Sequence, residues 1–290
     1  MTAGRTGAPM QYFEPNFVDE ALVLLDRFGS QARLLAGGTR LAFALRGDAD
    51  KVGALVNLKR IKELSTVSLR EQTLYVGALA TAATIASHPA VRRHVPVLAQ
   101  AAISMGARQL RSVATIGGNV CSGDPASDLC VALLACDAQC EIRRSSSDPA
   151  LVVPIEELLR KGQSALEPGS LLVGLRIQLG WDRCAYQKMT TRRAFEMSLV
   201  AVAFCCRNGP SLDQPRVAIA GAAPTIVRAR EAEKVLAGKA FTLGRARDAA
   251  RAAGARDAAP QTDWRASAEF RRQLVVTLTE RAIVAACGER

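Results

Sequence analysis

Two glycine pairs stand at the ends of apolar runs in this chain. The first lies in Leu34-Leu35-Ala36-Gly37-Gly38-Thr39-Arg40, the second in Ala114-Thr115-Ile116-Gly117-Gly118-Asn119. A glycine has no Cβ, so a ligand can come close to the backbone N–H groups around it. Consecutive N–H donors, joined by the hydroxyls of Thr39 and Thr115, suit an anion or a flat polar ligand. The competing reading is two structural turns. Two such segments in one chain weigh against it and suggest loops that converge on one ligand. Pro125 and Asp128 follow the second pair, and Asp128 is a candidate helix N-cap for the apolar run 129–136.

Other chemistries find less support. Of eight cysteines, Cys121, Cys130, Cys136 and Cys140 fall within twenty residues. Four thiolates would suit an iron–sulfur cluster, but no close Cys-x-x-Cys pair is present. Cys130 and Cys136 lie on an apolar helix pattern, so they read as small buried hydrophobes. His88 and His94 flank a proline-bounded segment and read as helix-end or surface residues. Neither a Ser-His-Asp set nor a metal-ligating set is visible.

The bulk properties narrow the classes. The 290 residues suffice for two domains, and 49% hydrophobic with 22% charged residues is a globular composition. Aromatics are 4%, too few for broad stacking on single-stranded nucleic acid. The net charge of +11 comes mostly from arginine, with only seven lysines. Those arginines are spread along the chain rather than gathered in a patch, which disfavours nucleic-acid binding. A phosphate-bearing cofactor or an acidic partner subunit accounts for them better. No secretion signal or membrane-length apolar run is seen, so the expectation is a reduced, cytoplasmic protein without a membrane span.

The elements that must carry the glycine pairs can be read from periodicity. Leu22, Leu25 and Phe28 recur at helical spacing, and Gly29 is a C-cap candidate. A strand at 32–35 then runs into the first glycine pair, a helix starts near 41–46, and a strand covers 53–58. Residues 65–69 and 73–78 form an antiparallel hairpin. Helical segments at 81–87 and 97–106 lead to the second pair. Beyond it come a buried helix, strands at 140–144 and 151–154, and the Pro168-Gly169 turn before a strand at 171–177. After Trp181 the pattern changes. Strand-like runs at 184–189, 199–206 and 216–220, with a turn at Asn208-Gly209-Pro210, precede helices at 228–236 and 267–287. The expected fold class is α+β. Residues 8–178 form one domain, with subdomains at about 8–60 and 61–178, and residues 181–288 form a second.

Three ordered motifs carry a family resemblance. They are Ala36-Gly37-Gly38-Thr39; Arg111 with residues 114–119, Pro125-Ala126-Ser127-Asp128 and Leu133-Leu134-Ala135; and Tyr186-Gln187-Lys188 with Arg192-Arg193-Ala194-Phe195 and Ala220-Gly221-Ala222-Ala223-Pro224-Thr225. In this order and spacing the chain resembles the FAD-binding medium subunit of the molybdenum hydroxylases, of xanthine dehydrogenase and carbon monoxide dehydrogenase type. The resemblance runs from about Phe13 to Ala286. It departs at Ser112, where the family commonly has asparagine, and at Arg40, where a smaller or acidic residue is common.

The resemblance implies a two-subdomain FAD-binding domain of the vanillyl-alcohol-oxidase and CO dehydrogenase flavoprotein type, followed by a C-terminal α+β domain. It implies that Ala36, Gly37, Gly38, Thr39, Arg40 and Leu41 hold the FAD pyrophosphate. It makes Thr115, Ile116, Gly117, Gly118 and Asn119 the second cofactor loop, with Cys121 nearby. Asp128 would lie near the ribityl or ribose hydroxyls, and Lys188 near the flavin, where it would stabilise negative charge on the reduced ring. The bland reading of Lys188 is a solvated strand residue. The implied partners are a small iron–sulfur subunit with two-iron two-sulfur clusters and a large subunit with the molybdenum cofactor, in a heterotrimer or its dimer. Electrons would pass through FAD to NAD, oxygen or another acceptor. One related subfamily, the benzoyl-CoA-type reductases, carries an inserted cysteine-rich loop in this subunit, and no insertion occurs here between Asn119 and Leu133. The alternatives are a stand-alone FAD-dependent oxidoreductase and a non-enzymatic basic interaction protein.

Overall fold

The structure, a computed structural model, describes residues 10–48, 51–160, 166–192, 197–207 and 209–288. Three sheets organise it. The first is small and parallel, in the order β1-β3-β2, with β1 at Gln11–Phe13, β2 at Ala32–Leu35 and β3 at Ala54–Asn57. Between β1 and β2 runs α1, Val18–Phe28, which buries Val18, Ala21, Leu22 and Leu25, one stripe at helical spacing. Gly29, at φ +48, stops it. Between β2 and β3 runs α2, Leu41–Asp48. The first glycine pair thus sits at the carboxyl end of a parallel strand, where a helix begins.

The second sheet has five antiparallel strands. They are β4 (Val67–Arg70), β5 (Thr73–Gly77), β6 (Gln139–Arg143), β7 (Leu151–Pro154) and β8 (Leu171–Gln178), in the order β4-β5-β8-β6-β7. Six helices lie between β5 and β6: α3 (Ala82–Ser87), α4 (Pro89–His94), α5 (Pro96–Ser104), α6 (Arg108–Val113), α7 (Ile116–Cys121) and α8 (Asp128–Ala135). A further short helix, α9 (Ile155–Arg160), follows β7. Strand alternation sends Leu74, Val76, Leu175 and Ile177 into the core shared with these helices. Every residue of α8 is buried, as its continuous apolar run requires. Truncating Leu133 there to alanine should cost about 2–5 kcal/mol.

The third sheet is antiparallel, in the order β12-β11-β10-β9, with β9 at Arg183–Met189, β10 at Val200–Arg207, β11 at Asp213–Ala220 and β12 at Val227–Arg228. Helices α10 (Arg230–Leu236), α11 (Leu243–Ala252) and α12 (Ala268–Cys287) pack on one face. The alternation in β10 explains its unbroken hydrophobicity. Val200, Val202, Phe204 and Cys206 join the core with α10, α11 and α12, while Ala201, Ala203 and Cys205 join the core with α8. A strand covered on both sides has no reason to alternate with polar residues. The two domains are therefore fused through α8. Ion pairs reinforce the seam, Asp137 with Arg216 at 2.6 Å and Arg228 at 2.7 Å, and Glu156 with Arg230 at 2.8 Å.

Most expected elements are present, with differences at their ends. The Gly117-Gly118 segment is not a loop but the first turn of α7. Ser127, not Asp128, caps α8, its side chain accepting from the Cys130 N–H. The helix α11 escapes sequence periodicity because its buried stripe is alanine only, and two arginines lie among the stripe residues. Asn208 of the expected turn lies outside the described residues, as do Arg193, Ala194 and Phe195 of the third motif.

Candidate cofactor site

The first glycine segment is built against the second. An ideal Cβ on Gly37 would lie 2.1 Å from the Val113 carbonyl oxygen and 3.2 Å from the Ala114 Cα. Only glycine allows β2 to end this close to α6. Gly38 follows at φ +75, in the left-handed region. The chain then enters α2, with the Ala42 N–H donating to the Gly38 carbonyl at 3.0 Å. Among the described residues, the N–H groups of Gly37, Gly38, Thr39, Arg40 and Leu41 have no backbone acceptor. Five successive donors at the mouth of a helix make a concentrated positive potential suited to an anion.

The second segment is different in kind. The Ile116 N–H donates to the Ala80 carbonyl at 2.9 Å and the Gly117 N–H to the Ala78 carbonyl at 2.8 Å. The Gly118 N–H donates to Thr115 Oγ1 at 3.2 Å, which makes Thr115 the cap of α7. These donors are spent inside the protein. Gly117 is a packing glycine, since a Cβ there would come within 2.8 Å of Ala78. Gly118 meets only Thr115 Oγ1, at 3.0 Å, and so leaves its side open. Asn119 Oδ1 accepts from the Ser127 hydroxyl and from the Cys130 thiol, fastening α7 to α8. Desolvation pushes the Cys121 thiol up to about 12, so it stands as a neutral neighbour.

Arg40 bridges the two segments, donating to Asp124 at 3.0 Å. Its side chain is 56% exposed. Arg111, the arginine ahead of the second segment, donates to the carbonyls of Met105 at 3.1 Å and Gly106 at 2.8 Å. It fixes the turn between α5 and α6, where Gly106 has φ +42.

Asp128 and Lys188 form a buried ion pair at 2.8 Å, with side chains 7% and 9% exposed. The bland reading of Lys188 as a solvated strand residue is therefore excluded. Strand alternation places Tyr186 and Lys188 on one face of β9, opposite Ala203 and Ala201 of β10, whose small side chains leave room. Asp128 accepts from the Tyr186 hydroxyl at 2.5 Å and the Ser198 hydroxyl at 2.8 Å as well. Lys188 also donates to the Ser104 carbonyl at 3.2 Å. Burial first, and then the Asp128 carboxylate, hold the Tyr186 phenol well above its ordinary value. With three donors aligned on it, from Lys188, Tyr186 and Ser198, the carboxylate compensates its desolvation. Ser198 and Ser104, and the bond of the motif residue Tyr186 to Asp128, escape sequence reasoning because the partners are 70, 84 and 58 residues away.

The third motif braces the same region. The Gly221 N–H donates to the Pro125 carbonyl at 2.7 Å, and a Cβ on Gly221 would clash with the Leu199 carbonyl at 2.3 Å. Buried Arg271 of α12 donates to the Leu199 carbonyl at 2.6 Å and the Gly221 carbonyl at 3.0 Å, and pairs with Asp263. So the three motifs meet: Gly37 on Val113, Lys188 on Asp128, and Gly221 on Pro125. Among the described residues no group of three or more His, Cys, Asp or Glu is placed to hold a metal ion. No helix there is long and apolar enough to cross a membrane.

Comparison with known proteins agrees along the whole chain. Residues 8–177 match the model of the FAD binding domain in molybdopterin dehydrogenase. Residues 185–286 match that of the CO dehydrogenase flavoprotein C-terminal domain. A xanthine dehydrogenase FAD-binding subunit of Escherichia coli O157:H7 is 33% identical over 271 residues, covering 89% of this chain and 90% of that protein. The carbon monoxide dehydrogenase medium chain of Hydrogenophaga pseudoflava is 29% identical over 282 residues, covering 95% and 96%. In solved structures, a chain of carbon monoxide dehydrogenase from Hydrogenophaga pseudoflava superposes with a TM-score of 0.89 at 29% identity, covering 97% and 98%. A chain of the reconstituted CO dehydrogenase from Oligotropha carboxidovorans gives 0.89 at 26% identity, covering 98% and 99%. Both family models, a relative one-third identical and a shared fold lead to one conclusion: the chain belongs to the flavoprotein family of the molybdopterin dehydrogenases, with an FAD-binding domain followed by a CO dehydrogenase flavoprotein C-terminal domain.

Proposed function

We propose that this chain is the FAD-carrying electron-transfer subunit of a heteromeric molybdenum hydroxylase. It takes electrons from two-iron two-sulfur clusters of a small subunit, which draws them from the molybdenum cofactor of a large subunit. It delivers them to NAD, oxygen or another acceptor. The observation that carries this reading is the row of five N–H groups at residues 37–41 that have no backbone acceptor among the described residues, packed edge to edge with the α6–α7 junction.

The residues present fit FAD. Its pyrophosphate needs several donors and no side-chain bulk, which Gly37, Gly38, Thr39, Arg40 and Leu41 supply, with Ala36 leading in. The family role of residues 115–119 is refined. Ile116 and Gly117 position the second wall by their bonds to Ala80 and Ala78, and Gly118 leaves it open on the ligand side. The bound flavin supplies the chemistry that joins one-electron donors to a two-electron acceptor. Asp128 and Lys188 then hold the segment from Ser104 to Val113 in place, because Lys188 grips the Ser104 carbonyl at one end and Val113 abuts Gly37 at the other. Lys188 also retains N–H capacity for the flavin, since an ammonium has three donors.

The test is copurification and reconstitution. A heteromeric complex isolated through this chain should contain flavin, iron–sulfur and molybdenum, and the isolated chain should take up one FAD. A chain that purifies alone and takes up no FAD contradicts the reading.

A further inference from the structure

The five-stranded sheet has a second face. The strand alternation that sends Leu74, Val76, Leu175 and Ile177 toward the helices turns Tyr75, Arg176 and Glu141 the other way, away from α7 and α8. A cleft of about 500 Å³ opens on this face, beside the start of α1. Val18, Leu64 and Val173 give it an apolar floor. Thr66, Tyr75 and three arginines, Arg70, Arg143 and Arg176, line it as well. None of these residues belongs to the cofactor segments.

A glycine lays Tyr75 into the cleft. A Cβ on Gly174 of β8 would collide with the phenol, so the absence of a side chain lets the ring cross that strand. The Tyr75 hydroxyl donates to the Val173 carbonyl at 3.3 Å, a long bond that yields readily to a better acceptor. Burial first, and then the Glu141 charge, raise the phenol above its ordinary value and keep it a donor. Ser68 stands directly across from Tyr75 in the β4–β5 register. Its hydroxyl is buried without a hydrogen-bond partner among the described residues. A buried orphan of this kind marks a place where a further group completes the structure.

The three guanidinium groups are not equivalent. Arg176 is engaged by Glu141 at 2.7 Å and Arg143 by Asp19 at 2.9 Å. Arg70, two residues beyond Ser68 and on the same side of β4, has no ion-pair or hydrogen-bond partner among the described residues. The groups left to act are one guanidinium and two hydroxyls, a donor set that matches one carboxylate. Glu63 and Glu141 line the same cleft and repel a second negative charge, which disfavours a dianionic phosphate.

We propose that this cleft binds a planar aromatic monocarboxylate, its carboxylate on Arg70 and the Ser68 and Tyr75 hydroxyls and its ring on the apolar floor. The volume has room for a ligand of that kind, and an apolar floor with a few placed polar groups is what such a ligand needs. The ligand lies on the opposite side of the sheet from the proposed flavin site, so both are occupied together.

The experiment uses the FAD-loaded full chain with naphthoate as the probe, followed by calorimetry and by saturation-transfer NMR. The expected result is saturable binding at one site per chain with FAD retained. Naphthalene carboxamide, neutral but of similar shape, should bind at least about tenfold more weakly. Naphthyl phosphate should bind no more tightly than the carboxylate. Arg70→Ala removes an exposed side chain without a partner, so its melting temperature and FAD content should match wild type. Its affinity for naphthoate should fall by about tenfold or more. Ser68→Ala should lower that affinity by a smaller factor. Absence of saturable binding overturns the proposal. So does an affinity unchanged in Arg70→Ala, equal binding of the carboxamide, tighter binding of the phosphate, or displacement of FAD by the probe.

Discussion

The Val113 carbonyl oxygen occupies the space that a Cβ on Gly37 would need, 2.1 Å from its ideal position. Two segments 76 residues apart in sequence are thereby held in backbone contact. This contact brings the two glycine motifs side by side. Neither backbone can retreat cheaply, because Val113 ends α6 and only Ala36 separates Gly37 from the end of β2. Gly37→Ala should therefore split the site. The expected outcome is loss of bound FAD together with a stability loss of about 1–3 kcal/mol from overpacking. Flavin absorbance per chain and a thermal melt would check both. Gly38→Ala, strained by its φ of +75 but with only the Leu35 side chain near, should lose about 1–2 kcal/mol and retain part of its FAD affinity.

The Lys188–Asp128 pair predicts an asymmetric mutational pattern. Lys188→Ala leaves a buried carboxylate with only hydroxyl donors and should cost about 3–5 kcal/mol. Lys188→Met with Asp128→Asn should recover much of that loss. The flavin midpoint potential separates the two roles proposed for Lys188. A shifted potential with unchanged FAD affinity indicates a charge beside the ring. Weakened affinity with an unchanged potential leaves only the grip on Ser104.

Arg40 should behave differently. Its bond to Asp124 is largely exposed, and such pairs contribute about 0–1 kcal/mol. Arg40→Ala should leave the melting temperature nearly unchanged. Its FAD affinity should fall, roughly tenfold at most, by about 1.4 kcal/mol. The difference from wild type should shrink as salt rises. Titrations at low and high ionic strength would read this, and an unaltered affinity at low salt would leave Arg40 only its bond to Asp124.

Asp263 predicts the acid behaviour of the C-terminal domain. Partial burial would raise its carboxyl, yet hydrogen bonds from Arg265 and Arg271 outweigh this and hold it well below the ordinary 3.8. The folded-state value is depressed, so its contribution is complete above that ordinary value. It is lost as pH falls toward the folded-state value. Asp263→Asn should therefore flatten the fall of melting temperature below about pH 4. It should also leave buried Arg271 with its two carbonyl partners, Leu199 and Gly221, but without its counter-charge.

What sequence reading captured, and what it missed, follows from range. Local signals carried well. The stripe of α1, the all-apolar α8 and the unbroken β10 could be read because burial leaves its period in the sequence. The glycine pairs were legible as positions open to close approach by a ligand, and at Gly37 and Gly117 it is the protein's own backbone that comes close. Their hydrogen bonds were not, since whether an N–H faces a ligand or another carbonyl depends on where residues 78–80 pass. That is why the second pair was expected as a loop and is a helical turn. Asp128 likewise read as a cap, but Ser127 takes that role and frees Asp128 for β9. Helix α11 was missed because alanine carries little hydrophobic signal among arginines.

The most direct test of the central claim compares FAD with riboflavin, which lacks the pyrophosphate, in binding to the flavin-free full chain. If residues 37–41 cradle that group, FAD should bind at least roughly 100-fold more tightly, about 2.7 kcal/mol, and Gly37→Ala should erase the difference. Equal affinities for the two ligands, or a preference that survives Gly37→Ala intact, would contradict the account.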